Sequence, residues 1–71
     1  MTTNANLVRA IRERHLMTQA ELARKAQVAL RTIYSIEKGN SCHMNTKRKI
    51  LCALDFDFSY RYLVFPSLKD S

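Results

Sequence analysis

The chain contains few of the residues that interrupt or cross-link a fold: its 71 residues include one glycine, one proline and two cysteines. A single glycine cannot supply a glycine-rich phosphate loop, and so little glycine and proline is not typical of a disordered chain. Two cysteines without a secretory signal argue against a disulfide framework. No apolar run approaches the roughly 20 residues that cross a bilayer. We therefore expect one small domain in the cytoplasm, with no membrane partner.

Acidic residues are also scarce, and they are unevenly placed. The chain has 12 Lys and Arg against six Asp and Glu. Residues 1–54 carry ten of the basic residues and three Glu, a net charge of +7, whereas residues 55–71 have a net charge of −1. Because displacing counterions from DNA drives sequence-independent affinity, a cationic surface suits phosphates. The charge indicates a nucleic-acid partner for residues 1–54.

Candidates for catalysis or metal binding are few. The six carboxylates are scattered, and no nucleophile is recognisably paired with a base. The possible metal ligands follow no known zinc spacing; they are His15, Cys42, His43 and Cys52. We expect no enzyme activity, no cofactor and no bound metal.

The segment 18–39 has the pattern of two short helices joined by residues 27–29. Thr18 and Glu21 have the spacing of a capping box, and the inner face that follows is Leu22, Ala23 and Ala26. A second helix is predicted from Leu30 to Glu37 or Lys38, and Gly39 follows where a helix end favours a left-handed residue. Its predicted outward residues are Leu30, Arg31, Tyr34 and Ser35. This is the layout of a helix-turn-helix, whose second helix enters the major groove of DNA.

Two further helices flank this motif. Asn4 is the candidate cap of a helix that ends near Arg14, and a fourth helix is predicted over 46–54, after a loop in which only Met44 is buried. The first helix is predicted to bury Leu7, Val8 and Ile11 and to expose Arg9, Arg12, Glu13 and Arg14. The predicted fold is therefore mainly all-α, a compact four-helix DNA-binding core over 1–54.

Residues 55–66 have a different pattern. Apolar and polar residues alternate from Phe56 to Tyr62, and five of the six aromatic residues of the chain lie within 56–65. This alternation predicts a β-strand, which would need a partner from a second copy of the chain. The alternative is a short fifth helix. In either form we predict a homodimer interface, consisting of Phe56, Phe58, Tyr60, Tyr62 and Val64. Residues 67–71 are expected to be a loose tail.

These motifs resemble the XRE-type helix-turn-helix domains of lambdoid phage repressors and Cro proteins. The resemblance covers about residues 7–54, and its most specific residues are Thr18-Gln19, Glu21-Leu22-Ala23, Val28, Ile33, Ile36-Glu37 and Gly39. It implies a bundle of four or five helices that binds double-stranded DNA as a two-fold dimer. The alternating C-terminal segment resembles instead the strands of HipB-type antitoxins.

The resemblance implies roles for individual residues. The positions that face bases are Ala29, Leu30, Arg31, Tyr34 and Ser35. The positions that contact phosphates are Thr18, Gln19, Lys38, Asn40 and Ser41, to which the basic character of the fourth helix adds Lys47. Glu37 is expected to be structural. Two departures stand out: Gln27 replaces the usual glycine of the joint, and Ala29 cannot cap the third helix, at a cost of about 1 kcal/mol.

The sequence therefore predicts a dimeric repressor that reads a pseudo-palindromic operator. One alternative is an antitoxin that binds a partner toxin and represses its own operon. A restriction–modification controller is another, suggested by Leu30-Arg31-Thr32 and Gly39-Asn40-Ser41.

Overall fold

Helices account for most of the residues that the computed structural model describes, 6–65. They are α1 (Val8–Arg14), α2 (Gln19–Ala26), α3 (Leu30–Glu37), α4 (Met44–Ala53) and α5 (Arg61–Val64). A 3₁₀ turn, Phe58–Tyr60, precedes α5, and residues 6–65 contain no strand. The predicted mainly helical fold is confirmed. The predicted cap Asn4 and the tail 67–71 lie outside the described residues.

The core is built from the inner faces of all five helices. Its members are at most 4% exposed: Val8, Leu22, Ala23, Ala26, Ile33, Ile36, Ile50, Leu51, Ala53, Leu54, Val64 and Phe65. α2 lies at the centre and packs on both α3 and α4, where Ala23 and Ala26 permit close approach. The prediction that Leu7 and Met44 are buried is wrong, because these residues are 47% and 44% exposed.

The C-terminal segment is helical, so the predicted strand is wrong and the short fifth helix is right. Phe56, Tyr60 and Val64 recur every four residues, a helical spacing that coexists with the alternation of period two. Phe65 N–H donates to Arg61 C=O at 2.8 Å, so the helical turn satisfies its backbone locally. Val64 is fully buried in the core of its own chain. This segment is therefore part of the same packed unit as α1–α4.

A backbone hydrogen bond joins the two ends of the described chain, and the Asn6 side chain adds two further bonds near the start of α1. Leu7 N–H donates to Val64 C=O at 2.9 Å, which holds α5 against the start of α1. The Asn6 side chain accepts from Val8 N–H at 3.1 Å and donates to Ile36 C=O at 2.8 Å. Asn6 therefore satisfies the first amide of α1 and ties that helix to α3.

Each of the first four helices is closed by a residue with a left-handed backbone. These residues are Leu16, Gln27, Gly39 and Asp55, with φ of 57°, 59°, 102° and 64°. In each case the next N–H donates to the carbonyl five residues earlier, at 2.9–3.2 Å: Met17 to Arg12, Val28 to Ala23, Asn40 to Ser35 and Phe56 to Leu51. This is the Schellman closure, which favours glycine. Since the chain has one glycine, the other three closures place a residue with a Cβ in the left-handed region, which costs conformational energy.

Leu16→Gly is expected to stabilise the fold. Leu16 is 91% exposed, so its side chain contributes little burial, and glycine removes the penalty of its left-handed backbone. We expect the free energy of unfolding in urea to rise by about 0.5–1 kcal/mol. Leu16→Ala keeps the Cβ and should give no gain; an equal gain from alanine would contradict this explanation.

Candidate nucleic-acid interface

α3 buries Ile33 and Ile36 in the core and leaves its opposite face uncovered. The five residues that were predicted to contact bases lie on or beside that face: Ala29, Leu30, Arg31, Tyr34 and Ser35. Ser35 is half-buried and the other four are exposed. Ala29 occupies the cap position of α3 without a side-chain hydrogen bond. The helix therefore presents a continuous outer surface to a ligand.

A cleft of about 580 Å³ lies along one side of this face, between α3 and the start of α4. We call it the α3–α4 cleft. It is lined by Arg31, Thr32, Ser35, Ile36, Ser41, Cys42, His43 and Thr46. Burial raises the pKa of the Cys42 thiol, so that this residue is uncharged near neutral pH. The other polar residues are hydrogen-bond donors or cations.

A second cleft, of about 480 Å³, lies on the other side of α3, beside α1 and the start of α2. We call it the α1–α2 cleft. It is lined by Arg9, Arg12, Thr18, Gln19, Tyr34, Glu37 and Lys38. The Lys38 ammonium lies 4.7 Å from the centre of the Tyr34 ring, a cation–π contact. The outer face of α3 thus stands between two clefts. The α1–α2 cleft has Arg9, Arg12 and Lys38 on its wall, and the α3–α4 cleft has Arg31 and several hydrogen-bond donors.

The predicted capping box is present at the start of α2. Thr18 N–H donates to Glu21 Oε1 at 2.8 Å, and Glu21 N–H donates to Thr18 Oγ1 at 3.1 Å. The bond from the Thr18 amide lowers the pKa of Glu21. Gln27, at the end of α2, adopts the left-handed conformation that glycine usually supplies in this joint. These two local structures fix the length of α2 and the angle at which α3 leaves it.

Comparison with known protein families agrees with this geometry. The model of a family described as helix-turn-helix matches residues 8–60. The chain belongs to the XRE-type helix-turn-helix family. This XRE-type protein is accordingly a DNA-binding transcription regulator. No curated protein matches the chain.

The far end of α3 in this XRE-type domain is held by a buried carboxylate. Glu37 accepts from Arg12 Nε at 2.6 Å and Nη2 at 3.1 Å, and from Gln19 Nε2 at 3.0 Å. The Glu37 and Arg12 side chains are 4% and 11% exposed. Arg12 Nη1 also donates to Met17 C=O at 2.8 Å. One carboxylate therefore joins α1, α2 and α3, and we call this set the Glu37 network.

The prediction that Arg12 faces water is wrong. Hydrogen bonding to Glu37 raises the pKa of the Arg12 guanidinium. The helical spacing could have indicated that these two side chains point inward, because Arg12 follows buried Val8 by four residues and Glu37 follows buried Ile33 by four. Their charges favoured the opposite interpretation. The structural role expected of Glu37 agrees with these contacts.

The structure distributes the predicted phosphate-contacting residues unevenly. Thr18, Gln19 and Lys38 line the α1–α2 cleft and Ser41 lines the α3–α4 cleft. Asn40 is exposed, and its amide donates to Ser35 Oγ.

Lys47 Nζ donates to Cys42 C=O at 2.8 Å and lies 5.8 Å from the centre of the Phe65 ring. Lys47 therefore holds the loop before α4. Three further residues, which no sequence signal assigned to the interface, line the α3–α4 cleft: Thr32, His43 and Thr46.

The predicted dimer residues lie in different environments. Tyr60 and Tyr62 are exposed and Phe56 is half-buried, whereas Val64 is buried in its own core; the side chain of Phe58 lies outside the described part of the structure. A shallow groove of about 300 Å³ is lined by Asp55, Phe56, Asp57, Tyr60 and Leu63. The exposed apolar surface of the C-terminal segment is therefore formed by Tyr60, Tyr62 and Leu63.

Residues 6–65 contain no group of three His, Cys, Asp or Glu side chains that could hold a metal ion. Over the same residues, no helix has both the length and the apolar character needed to cross a bilayer.

Arg12→Met is expected to destabilise the domain strongly. The substitution leaves the Glu37 carboxylate buried without its cation, which typically costs about 3–5 kcal/mol, and urea unfolding measures the loss. Arg9→Met is the matched control, because Arg9 and Glu13 form an exposed pair at 3.1 Å whose loss should cost below about 1 kcal/mol. Equal costs for the two variants would contradict the role of the Glu37 network.

Proposed function

We propose that this regulator is a dimeric repressor that reads a pseudo-palindromic operator with one α3 in each half-site. The observation that supports the proposal is the position of the outer face of α3 between two clefts that are lined by cations and hydrogen-bond donors. B-DNA offers a complementary shape, since its major groove admits one helix and has a phosphate ridge on each side. Each cleft would receive one ridge.

The outer residues of α3 differ in what they offer to bases. Arg31 can donate two hydrogen bonds to guanine O6 and N7, the commonest specific contact in the major groove. Leu30 has only apolar surface, which suits the methyl group of thymine. Ala29, at the tip of the helix, leaves room for close approach. We assign base reading chiefly to Arg31, with Leu30 and Ser35 beside it.

The α1–α2 cleft is the stronger candidate for phosphate contact. Gln19 uses one amide N–H on Glu37 and retains a second for a phosphate oxygen. Lys38 and Arg9 are exposed on the same wall. On the other side of α3, Ser41 and His43 supply donors. Phosphate contacts fix the register of α3, and base contacts supply the specificity.

Arg31→Ala and Lys38→Ala are expected to have different effects. Loss of Arg31 should remove the preference at one base pair, about 1–3 kcal/mol. Loss of Lys38 should weaken binding to all sequences and reduce the slope of log K against log salt by about 0.9. Fluorescence anisotropy with an operator selected from random duplexes, measured at several salt concentrations, separates the two effects.

Lys25→Ala is the matched control for these variants. Lys25 lies 3.9 Å from Asp55, and neither residue lines the clefts beside α3. Its loss should leave base preference unchanged. Equal weakening of all sequences by Arg31→Ala would make Arg31 a phosphate contact and contradict its assigned role.

The dimer interface is proposed at the C-terminal segment. Tyr60, Tyr62 and Leu63 are 53%, 43% and 58% exposed on one short segment, and Leu7, 47% exposed, is bonded to neighbouring Val64. The principal extents are 29 × 26 × 21 Å. The longest extent is shorter than the ~34 Å between half-sites one turn apart, so the proposal requires the two α3 helices to lie away from the shared interface.

Tyr60→Lys combined with Tyr62→Lys is expected to produce monomers. Two charges on each side of an apolar two-fold interface would be buried without partners, so sedimentation should show the mass of one chain. Tyr34→Lys is the control, because Tyr34 is equally exposed but lies on α3; this variant should remain dimeric. An unchanged mass in the double variant would exclude this surface from the interface.

A repressor requires only that the bound protein occupy its operator. The C-terminal segment resembled the strands of HipB-type antitoxins, but residues 58–64 form helical turns, so that resemblance does not support the antitoxin alternative. No observation on the described residues favours a toxin partner or a restriction–modification role over simple repression.

A further inference from the structure

Asn40 lies just after the recognition helix and is bonded to Ser35 at two points. Asn40 N–H donates to Ser35 C=O at 3.2 Å, and Asn40 Nδ2 donates to Ser35 Oγ at 2.9 Å. We propose that Asn40 determines specificity through Ser35, by fixing the Ser35 hydroxyl as a hydrogen-bond donor toward the bases. This inference rests on the proposed function, since it requires that α3 read base edges.

The backbone at the end of α3 brings the two residues together. Gly39 has φ 102°, and its N–H donates to Ile36 C=O at 2.9 Å. With the Asn40 bond to Ser35 C=O, this completes the Schellman closure. The closure folds the chain back over the last turn of α3 and places the Asn40 side chain beside Ser35. The single glycine of the chain thus lies at the end of α3, the helix that carries the proposed base-reading face.

The hydrogen bond from Asn40 affects which bases the Ser35 hydroxyl can bind. A serine hydroxyl has one proton to donate and two lone pairs that accept. The Asn40 amide N–H occupies one lone pair of Ser35 Oγ, so the hydroxyl keeps its proton and has only one lone pair left to accept. The free proton then favours bases with an acceptor in the major groove, such as guanine O6 or N7 and thymine O4. Cytosine, which presents only its N4 amino donor there, is disfavoured.

The position of Ser35 on α3 suits it to this task. Ser35 follows Arg31 by four residues, so the two side chains are neighbours on one helix face, and both line the α3–α4 cleft. We infer that Ser35 reads a base close to the guanine assigned to Arg31. Asn40 is thereby a positioning residue for base recognition. The resemblance had implied a phosphate contact, and one Asn40 amide N–H is still available for that role.

Asn40→Asp in the full-length protein tests the proposal. An ionised carboxylate can only accept hydrogen bonds, so the introduced group takes the Ser35 proton and leaves the Ser35 lone pairs to accept from a base. The probe is the operator that the wild-type protein selects from random duplexes. The position to vary is the one at which Ser35→Ala abolishes the base preference, and each of the four base pairs is placed there in turn. Competition binding gives the relative affinities.

The wild-type protein is expected to favour guanine or thymine over cytosine there by roughly fivefold, the value of one hydrogen bond. Asn40→Asp should reverse the preference toward cytosine by a similar factor. Asn40→Ala, which frees the hydroxyl to rotate, should leave little preference. Asn40 is exposed and Ser35 is half-buried, and thermal unfolding of each variant checks that the fold is kept.

Asn45→Asp is the matched control, because it adds the same charge at an exposed position at the start of α4. It should weaken binding to all duplexes and keep the wild-type base preference. Identical preferences for Asn40→Asp and Asn45→Asp would overturn the role of Asn40 while leaving the repressor proposal intact. A wild-type protein that selects no sequence at all would contradict both.

Discussion

The buried carboxylate of Glu37 is the contact on which the interface depends. It belongs to the last residue of α3, and it accepts hydrogen bonds from Arg12 in α1 and Gln19 in α2. A buried ion pair contributes little net stability, but removing one partner is costly. The Glu37 network therefore matters less for the total stability than for the single arrangement of three helices that it permits. That arrangement turns the outer face of α3 away from the core and places Gln19 beside one cleft.

The helix ends complement this network. With one glycine available, the chain closes three of its first four helices through left-handed residues that bear side chains. A domain of this size has a free energy of unfolding of only about 5–15 kcal/mol, so these closures use an appreciable part of it. Gly39 is placed at the end of α3, where it also brings Asn40 to Ser35. The most favourable closure thus coincides with the proposed base-reading surface.

Much of the helix-turn-helix could be predicted because its signals are local. Thr18 and Glu21 form a capping box through spacing alone, and the apolar residues of α2 and α3 repeat with the helical period. The C-terminal segment was mispredicted because its aromatic residues alternate with a period of two from Phe56 to Tyr62, whereas Phe56, Tyr60 and Val64 also recur every four residues. Only packing against the core selects the helix. Arg12 was misplaced because its charge outweighed its spacing of four from buried Val8. Its partner could not be predicted, because Glu37 is 25 residues away in sequence, a distance that no local pattern spans.

An NMR titration of the full-length protein with its selected operator duplex tests the central claim most directly. If the outer face of α3 enters the major groove, the largest amide shift changes should fall on residues 29–35 and on the start of α2, around Thr18 and Gln19. Cys52, exposed on α4 and absent from the lining of both clefts, should change little. Changes concentrated on α4 around Cys52, with residues 29–35 unaffected, would contradict the account.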